Sequence, residues 1–222
     1  MSISRHLFIL LLLCSVSSNM QIFAQKITFD GGLIAGVYGI DITGDKESFW
    51  DYDYEKSGIP GISAGAFARI NLSPEVYGLL ELRYVQKGTT YGYINQFYTQ
   101  SFETICFDYI EIPVLFGTNS IYHSSHKSFD FAIETGFAFS KLFSSKIKYA
   151  EIAGRPNHAS LLGFKDYDLS WIGQIKFPYF FGNSNKLLFG IRVERSLLSI
   201  HENFRLFNFT YGFEVNYLIK NL

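Results

Sequence analysis

Beyond its first 25 residues the sequence has no long apolar run. A transmembrane helix needs about 20 consecutive, mostly apolar residues, and no segment after Gln25 approaches that length. Cysteine is also scarce: of the 2 cysteines, Cys14 lies in the N-terminal segment, which leaves Cys106 alone in the rest of the chain. A mature protein without the N-terminal segment therefore has no intramolecular disulfide.

The sequence also lacks an excess of charge of either sign. The 19 Lys and Arg residues nearly balance the 20 Asp and Glu residues, so the formal net charge is -1. This balance offers no basic surface for nucleic acid and no polybasic membrane anchor. Tryptophan occurs only twice, yet aromatic residues make up 18% of the chain through 23 Phe and 15 Tyr.

The N-terminus predicts export. Its apolar core, Leu7–Cys14, is too short to span a bilayer as a helix and is followed by a small-residue cleavage site. We expect cleavage after Ala24, which removes residues 1–24 and leaves residues 25–222 as one domain. A lipoprotein signal at Cys14 is the alternative. An exported, hydrophobic chain without spanning helices favours the other spanning structure, a closed barrel.

The stretch Leu206–Lys220 alternates between apolar and polar residues along its whole length. Its apolar row is Phe207, Phe209, Tyr211, Phe213, Val215, Tyr217 and Ile219. A period of two predicts an extended strand with one apolar and one polar face. In a soluble sheet the apolar face would cover a core, whereas in a membrane barrel it would face lipid.

Eight segments show this rhythm and predict an all-β fold. They are Ile27–Asp41, Ile59–Ile70, Val76–Gly88, Thr104–Gly117, Phe129–Phe143, Asp166–Phe181, Leu187–Leu198 and Leu206–Lys220. The predicted architecture is an eight-stranded antiparallel up-and-down transmembrane β-barrel in the outer membrane of a Gram-negative cell, with its N-terminus in the periplasm. The long connections are Ile42–Gly58, Thr89–Glu103 and Ser144–Lys165. Thr118–Ser128 is long for a periplasmic turn.

The rival architecture is a soluble ligand-binding barrel with its apolar residues inside. The dense Phe, Tyr and Trp side chains of the later strands would then have to share one narrow interior. An eight-stranded lumen is too small for them at ordinary packing density. We therefore prefer the interpretation in which the aromatic faces contact lipid.

The faces assigned to the lumen carry four bases and five acids. They are Arg69, Arg83, Lys176 and Arg192, with Glu81, Glu111, Glu134, Glu194 and Glu214. An eight-stranded barrel is just wide enough to be filled by side chains, and buried charges are costly unless they are paired. We predict a lumenal polar network that plugs a narrow lumen, with little or no conductance; a gated ion path or a small-solute pore is the alternative.

Two segments have the residue types of a metal site. His123 and His126 have a spacing compatible with two ligands, but no carboxylate cluster lies nearby. Asp51–Glu55 resembles the start of a calcium loop, but Lys56 stands where the turn glycine is needed. We interpret both as solvated loops and expect no metal and no cofactor.

Membrane-embedded hydrolases and acyltransferases need a serine, a histidine and an acid at one end of the barrel. Predicted outer loops contain His158 and Ser160, and also His201 and Glu202. Sequence alone cannot bring these residues together, and we expect no catalysis.

Two segments resemble a known family. Phe107–Leu115 contains a Tyr-x-Glu-x-Pro pattern formed by Tyr109, Glu111 and Pro113, and Glu81–Gly88 has the pattern Glu-Leu-x-Tyr-x-x-Lys-Gly. Both patterns resemble those of the PorT-like outer-membrane β-barrel family of Bacteroidetes. The resemblance implies an eight-stranded outer-membrane barrel, and the family's namesake is associated with type IX secretion.

These observations lead to three alternative functions. The first is a structural, adhesive or passive-transport barrel, the second an accessory component of a protein secretion machinery, and the third a lipid-modifying enzyme. The expected partners are outer-membrane lipid and proteins of the secretion or barrel-assembly machinery, with no nucleic acid. We expect the barrel to be a monomer.

Overall fold

The structure is a computed structural model that describes residues 27–44, 55–94, 100–124, 127–150, 163–181 and 185–220. The predicted signal peptide lies outside these residues. The strands are β1 (Thr28–Gly44), β2 (Glu55–Ser57), β3 (Ile59–Asn71), β4 (Val76–Ile94), β5 (Gln100–Ser124), β6 (Lys127–Ala150), β7 (Tyr167–Phe181), β8 (Asn185–Ser196) and β9 (Leu206–Lys220). No helix within the described ranges is long and apolar enough to cross a membrane.

Eight of these strands form a closed antiparallel barrel. Each pairs with its neighbours along the chain, β1 pairs with β9, and β4 pairs with both β3 and β5, which leaves no open edge in the ring. The short strand β2 pairs with β4 beyond the end of β3. The predicted fold class, an all-β eight-stranded antiparallel barrel, is confirmed.

The strands are staggered around the barrel. A line of directly paired residues that leaves β6 at Ala132 returns to β6 at Leu142, which is 142 − 132 = 10 residues further along. The intermediate residues are Lys176, Gly190, Glu214, Gly36, Ser63, Val85 and Tyr109. Such a stagger requires the strands to tilt by roughly 35–45° against the barrel axis.

The two ends of the barrel differ. We call the end where β1 begins and β9 ends the turn end; it carries the β3–β4, β5–β6 and β7–β8 turns. We call the opposite end the loop end. The Leu72 and Ser73 amides donate hydrogen bonds to the Val76 carbonyl at 3.0 Å, which closes the β3–β4 turn.

An apolar belt surrounds the barrel on its outside. Large side chains that are 43–66% exposed contribute to it from every strand of the ring: Leu33, Ile62, Leu82, Ile112, Phe137, Ile175, Ile191 and Phe213. The residues between them point inward and are buried. The lipid-facing assignment of the apolar rows therefore agrees with the side-chain directions.

Part of the lumen is apolar. A buried cluster contains Ile34, Phe67, Leu79, Leu115, Ala138, Ile172, Leu188 and Leu218. Every strand of the ring contributes one member, because the inward positions of a staggered barrel form layers. The prediction of a lumen filled by charges is thus incomplete, since a hydrophobic layer shares the interior.

Several predicted connections are strand instead. β4 continues to Ile94, β5 begins at Gln100, and β6 continues to Ala150, so most of Thr89–Glu103 and the start of Ser144–Lys165 are paired. Thr118–Ser128 is not a long connection, because β5 and β6 pair through to Ser124 and Lys127. Apolar alternation marks the part of a strand that crosses lipid, whereas backbone pairing continues beyond it.

These continuations form a sheet extension at the loop end. We define it as residues 55–57, 88–94, 100–108 and 144–150, four paired segments. A register shift between Asp108 and Tyr109, opposite Leu142 and Ser144, leaves Phe143 without a partner on β5. Such a bulge bends the strand and increases its twist where the extension leaves the barrel.

Candidate functional site: the lumenal ion network and its cap

The charged side chains at the centre of the lumen lie on the inward faces of six strands of the ring, β4 to β9. We use the name ion network for Arg83, Lys87, Lys176 and Arg192 with Glu81, Glu111, Glu134, Asp168, Glu194 and Glu214. None of the ten is more than 3% exposed. Eight of the nine residues predicted for the lumenal polar network belong to it; the ninth, Arg69, lies nearer the turn end.

Arg192 occupies the centre of the ion network. Its Nη1 lies 2.9 Å from Glu81 Oε2 and 3.8 Å from Glu214 Oε2. Its Nη2 lies 3.4 Å from Glu111 Oε1 and 3.9 Å from Glu194 Oε2. One guanidinium thus faces four carboxylates, a number that its planar fork of donors can serve better than an ammonium could.

Lys87 holds the half of the ion network nearer the loop end. Its Nζ lies 2.5 Å from Glu194 Oε1, 3.1 Å from Glu111 Oε2 and 3.6 Å from Asp168 Oδ2. Sequence reasoning did not include Lys87 in the lumenal network, although it lies within the predicted strand Val76–Gly88. The strand continues, and the period of two from Arg83 would have placed Lys87 inside.

Arg83 and Lys176 hold the half nearer the turn end. Arg83 Nη2 donates to the Tyr38 hydroxyl at 2.6 Å, and its Nη1 lies 3.3 Å from Glu81 Oε2. Lys176 Nζ lies 2.9 Å from Glu134 Oε2 and 3.3 Å from Glu214 Oε1. The ion pairs therefore run as one connected set from Asp168 to Glu134.

Hydroxyl groups offset the excess of six carboxylates over four cations. Five of them donate to network carboxylates: Tyr38 to Glu214 at 3.1 Å, Tyr77 to Glu134 at 2.5 Å, Ser140 to Glu111 at 3.0 Å, Ser170 to Glu194 at 2.8 Å and Ser196 to Asp168 at 2.7 Å. Buried carboxylates are tolerated when ion pairs and such donors serve their oxygens. Charge counting alone could not identify these neutral partners.

Arg69 joins the turn end of the lumen by other contacts. Its Nε donates to Asn71 Oδ1 at 2.7 Å, and its guanidinium carbon lies 3.5 Å from the centroid of the Tyr77 ring. Because Tyr77 donates to Glu134, Arg69 adjoins the ion network through a ring rather than through a direct ion pair. Asn71 Nδ2 donates in turn to Asp30 Oδ2 at 2.9 Å.

The family-motif residues all face the lumen. Tyr109 is 1% exposed, and the Lys87 ammonium lies 5.2 Å from the centroid of the Tyr109 ring. The Glu111 carboxylate pairs with both Lys87 and Arg192. Pro113 pairs with Ala138 on β6. Because proline has no N–H to donate, the β4–β5 pairing is interrupted beside it, between Leu80↔Val114 and Arg83↔Glu111.

An apolar cap closes the lumen at the loop end. We define the cap as Ile42, Ile105, Phe107, Tyr109, Ile200 and Leu206 with the partly buried Leu142, Phe164 and Phe204. His201, 2% exposed, holds the connection over the mouth: its Nδ1 accepts from the amides of Asn203 at 3.1 Å and Phe204 at 3.3 Å. Its ring meets the Phe164 ring edge-on, at 5.0 Å.

Two connections thus meet above the ion network. Residues Phe164 and His201 form a bridge between them, and the Glu202 amide donates to the Gly163 carbonyl at 2.8 Å. Sequence reasoning treated His201 and Glu202 as candidate catalytic residue types on a loop. The structure gives His201 a role in shaping a turn, and Glu202 is exposed. His158 and Ser160 lie outside the described residues.

Replacing Gly163 by alanine is expected to loosen the cap without unfolding the barrel. Gly163 has φ +93°, and a Cβ there would lie 2.8 Å from His201 Cε1. Backbone strain of this kind costs about 1–3 kcal/mol, so trypsin cleavage after the exposed Lys165 should accelerate about tenfold. Gly78→Ala is the control, because its Cβ would meet nothing within 4 Å. Equal rates of trypsin cleavage in the two variants would contradict the placement of Gly163 against His201 in the cap.

The described residues contain no group of three or more His, Cys, Asp and Glu side chains arranged to hold a metal ion. The candidate pair His123 and His126 and the acidic segment Asp51–Glu55 fall mainly outside what the structure describes. The lumenal carboxylates are instead engaged by arginine, lysine and hydroxyl groups. The ion network is thus a packed polar core between the buried apolar cluster and the cap.

The closed ring, the apolar belt and the polar interior define the class: an outer-membrane β-barrel protein. Residues 23–202 match the family model described as "Outer membrane protein beta-barrel domain", and the chain belongs to that family. This membership supports an outer-membrane location for the protein. No curated protein sequence matches the chain.

Solved outer-membrane proteins are similar to the chain at low sequence identity. The outer membrane protein OprG from Pseudomonas aeruginosa is 8% identical, with 87% of this chain and 95% of that chain covered and a TM-score of 0.47. Neisserial surface protein A is 7% identical, with 88% and 99% covered and a TM-score of 0.42. Ail, the attachment invasion locus protein of Yersinia pestis, is 13% identical, with 86% and 99% covered and a TM-score of 0.37.

Proposed function

We propose that this protein is a non-conducting outer-membrane anchor that presents the sheet extension for adhesive contact. The observation that carries the proposal is strand length. β4, β5 and β6 have 19, 25 and 24 residues, whereas a tilted transmembrane strand needs about 9–11. The surplus at the loop end forms a paired, four-segment sheet, which is a more rigid contact surface than four separate loops would be.

The outward face of the extension supports contact with water rather than lipid. Above the apolar belt, Asp108 accepts hydrogen bonds from the Tyr84 hydroxyl at 2.8 Å and from Gln86 at 3.4 Å. The hydroxyls of Thr90 and Thr104 bond across the strands at 2.8 Å. Polar pairs of this kind are favourable on a surface that leaves the hydrocarbon layer.

The lumen supports the non-conducting part of the proposal. The ion network and the buried apolar cluster occupy its interior, and the cap covers its loop end. We expect the purified protein in planar lipid bilayers to show little or no single-channel conductance. Regular ion-conducting steps from the wild-type protein would contradict this expectation and favour the gated path.

Adhesion is tested by shortening the extension. Residues 91–103 are replaced by Asn-Gly, a favoured two-residue hairpin turn, between Thr90 and Thr104, which already pair directly. Cells that carry this variant are expected to lose binding to immobilised extracellular-matrix protein and glycans. The matched control replaces residues 121–130 at the turn end between Ser120 and Phe131, which also pair. Equal binding by both trimmed variants, or wild-type binding no greater than that of a deletion strain, would refute adhesion.

A second candidate is the secretion accessory, and the turn end offers one observation for it. β5 and β6 continue past their last partners on the neighbouring strands, Thr118↔Val76 and Ala132↔Lys176, and form a two-stranded projection. Asn119 fixes its base by donating to the Pro74 carbonyl at 3.1 Å. An unchanged set of secreted proteins in cells carrying the turn-end variant would argue against this role.

A further inference from the structure

Exposed cations collect along one half of the loop end. We use the name basic arc for Lys141, Lys165, Arg195 and Arg205, all exposed. They lie on, or one to two residues before, the adjacent strands β6, β7, β8 and β9. Among the described residues, the exposed acids of this half are Asp166 and Glu202, so the described part of the arc keeps an excess of positive charge.

The side chains described on the other half of this end include no such cations. Where the structure describes side chains, β1, β3, β4 and β5 bring no exposed lysine or arginine to the loop end; their cations Arg83 and Lys87 are buried in the ion network. The acids described in that half are Asp108, which accepts from Tyr84 and Gln86, and Asp41, which accepts from the Thr89 hydroxyl at 3.2 Å. Among the described side chains, the exposed positive charge of this end is therefore concentrated on β6 to β9, and the exposed Lys146 of the sheet extension, also on β6, adds to it.

Two members of the basic arc point outward, toward the membrane. Lys141 is paired with Tyr167 and Arg195 with Trp171, both of which belong to the outward, exposed row. Lys141 follows the lumenal Ser140, and Arg195 follows the lumenal Glu194. Because successive side chains of a strand alternate between faces, both cations stand on the lipid side of the wall.

The same two cations lie at nearly the same height. Arg195 pairs through Trp171 with Phe137, four residues nearer the turn end than Lys141. A line of paired residues shifts toward the loop end by ten residues over the eight strands, which is about 2.5 residues over the two steps from β6 to β8. Arg195 therefore lies about 2.5 residues nearer the loop end than Phe137. Lys141 and Arg195 are therefore within about two residues of each other along the barrel axis.

The surroundings of Lys141 are those of a membrane interface. Its Nζ lies 5.7 Å from the centroid of the Tyr167 ring, and that ring stacks on Phe139 at 5.5 Å. Along the outward row of β6, the phenylalanine side chains of the belt, Phe137 and Phe139, are therefore followed directly by the cation Lys141 and its paired Tyr167. Amphipathic rings and long cations at this height are where lipid headgroups begin.

We propose that the basic arc binds the phosphate groups of phosphorylated glycolipid in the outer leaflet. The loop end is the end predicted to face outward, and the arc is continuous with the apolar belt that contacts the acyl chains. Lysine and arginine bind phosphate as a point charge and as a planar fork of donors, respectively. A single lipid whose chains lie on the belt can therefore place its phosphates against Lys141 and Arg195.

The test is native mass spectrometry of the detergent-solubilised protein with four added probes: bisphosphorylated lipid A, dephosphorylated lipid A, phosphatidylglycerol and inorganic phosphate. Lys141→Gln combined with Arg195→Gln is expected to weaken binding of bisphosphorylated lipid A about thirtyfold, since each cation near an anionic lipid surface contributes about a factor of five. Lys186→Gln, near the turn end, is the control and should change binding less than twofold. Heat-modifiable migration on a denaturing gel verifies that each variant is folded.

Each other outcome overturns the proposal. Equal binding of dephosphorylated lipid A would show that acyl chains alone are recognised, and equal binding of phosphatidylglycerol would show general anionic attraction. Competition by millimolar inorganic phosphate would indicate a site for a soluble ion. A double variant that binds like the wild type, or a Lys186→Gln variant that is weakened as strongly, would remove the basic arc as the binding surface.

Discussion

Replacing Arg192 by methionine is expected to lower the free energy of unfolding by about 3–5 kcal/mol, the usual cost of removing one partner of a buried ion pair. Methionine keeps much of the volume but leaves Glu81, Glu111, Glu194 and Glu214 facing one another without their shared guanidinium. The measurement is equilibrium urea unfolding of the protein in vesicles of zwitterionic lipid, followed by tryptophan fluorescence and by heat-modifiable migration.

The matched control is Arg195→Met, three residues along the same strand. Arg195 is exposed, whereas Arg192 is 0% exposed, so the control should shift the unfolding free energy by no more than about 0.5 kcal/mol. Adding Glu81→Leu to Arg192→Met should recover part of the loss, because it removes one of the carboxylates left without a cation. Similar losses for the Arg192 and Arg195 variants would show that the ion network does not stabilise the barrel.

Placing an arginine on the apolar belt should be the second large effect. Ile112 is 44% exposed, lies on the outward row of β5 and is flanked by the inward Glu111 and Pro113. If this row faces lipid near the membrane centre, Ile112→Arg should destabilise the folded barrel by about 2–4 kcal/mol, as cations do at the bilayer midplane. Urea unfolding in vesicles of the same zwitterionic lipid measures the change.

The control for the belt is Leu72→Arg in the β3–β4 turn. Leu72 is 49% exposed, close to the exposure of Ile112, but it belongs to a turn at the end of the barrel. Its replacement should cost about 0–1 kcal/mol, the range for positions near the interface. If both variants lose the same amount, the outside of the barrel does not sense lipid, and the soluble-barrel alternative returns.

The sequence predicted the strands best where they cross the belt. The bounds of β9, Leu206–Lys220, are those predicted, and β7 begins one residue later than predicted, at Tyr167. Both strands keep a period of two because lipid on one side and a packed lumen on the other constrain every residue. Beyond the belt neither side is constrained in this way, and the pairing of β4, β5 and β6 continued where alternation no longer indicated it.

The lumenal site was predictable in its charges but not in its neutral parts. Alternation alone places Arg83, Arg192 and Glu214 inside, because each follows and precedes an apolar outward residue. It could not show that Tyr38 and Tyr77 act as hydroxyl donors, since tyrosine suits either face. The cap depends on contacts between two connections separated by the whole of β7 and β8, and no local pattern reports such a meeting.

The contacts of the ion network also have a consequence for the order of assembly. Tyr38 and Glu214 are 176 positions apart, Arg192 and Glu81 are 111 apart, and Lys87 and Glu194 are 107 apart. None of these three contacts lies within a single hairpin, so pairing of neighbouring strands can advance before they form. Desolvation must follow ring closure, and contacts of such high sequence separation form slowly. The inner face of the chain is therefore still hydrated when the chain enters the membrane. Folding of the barrel is completed when that water is expelled from the lumen.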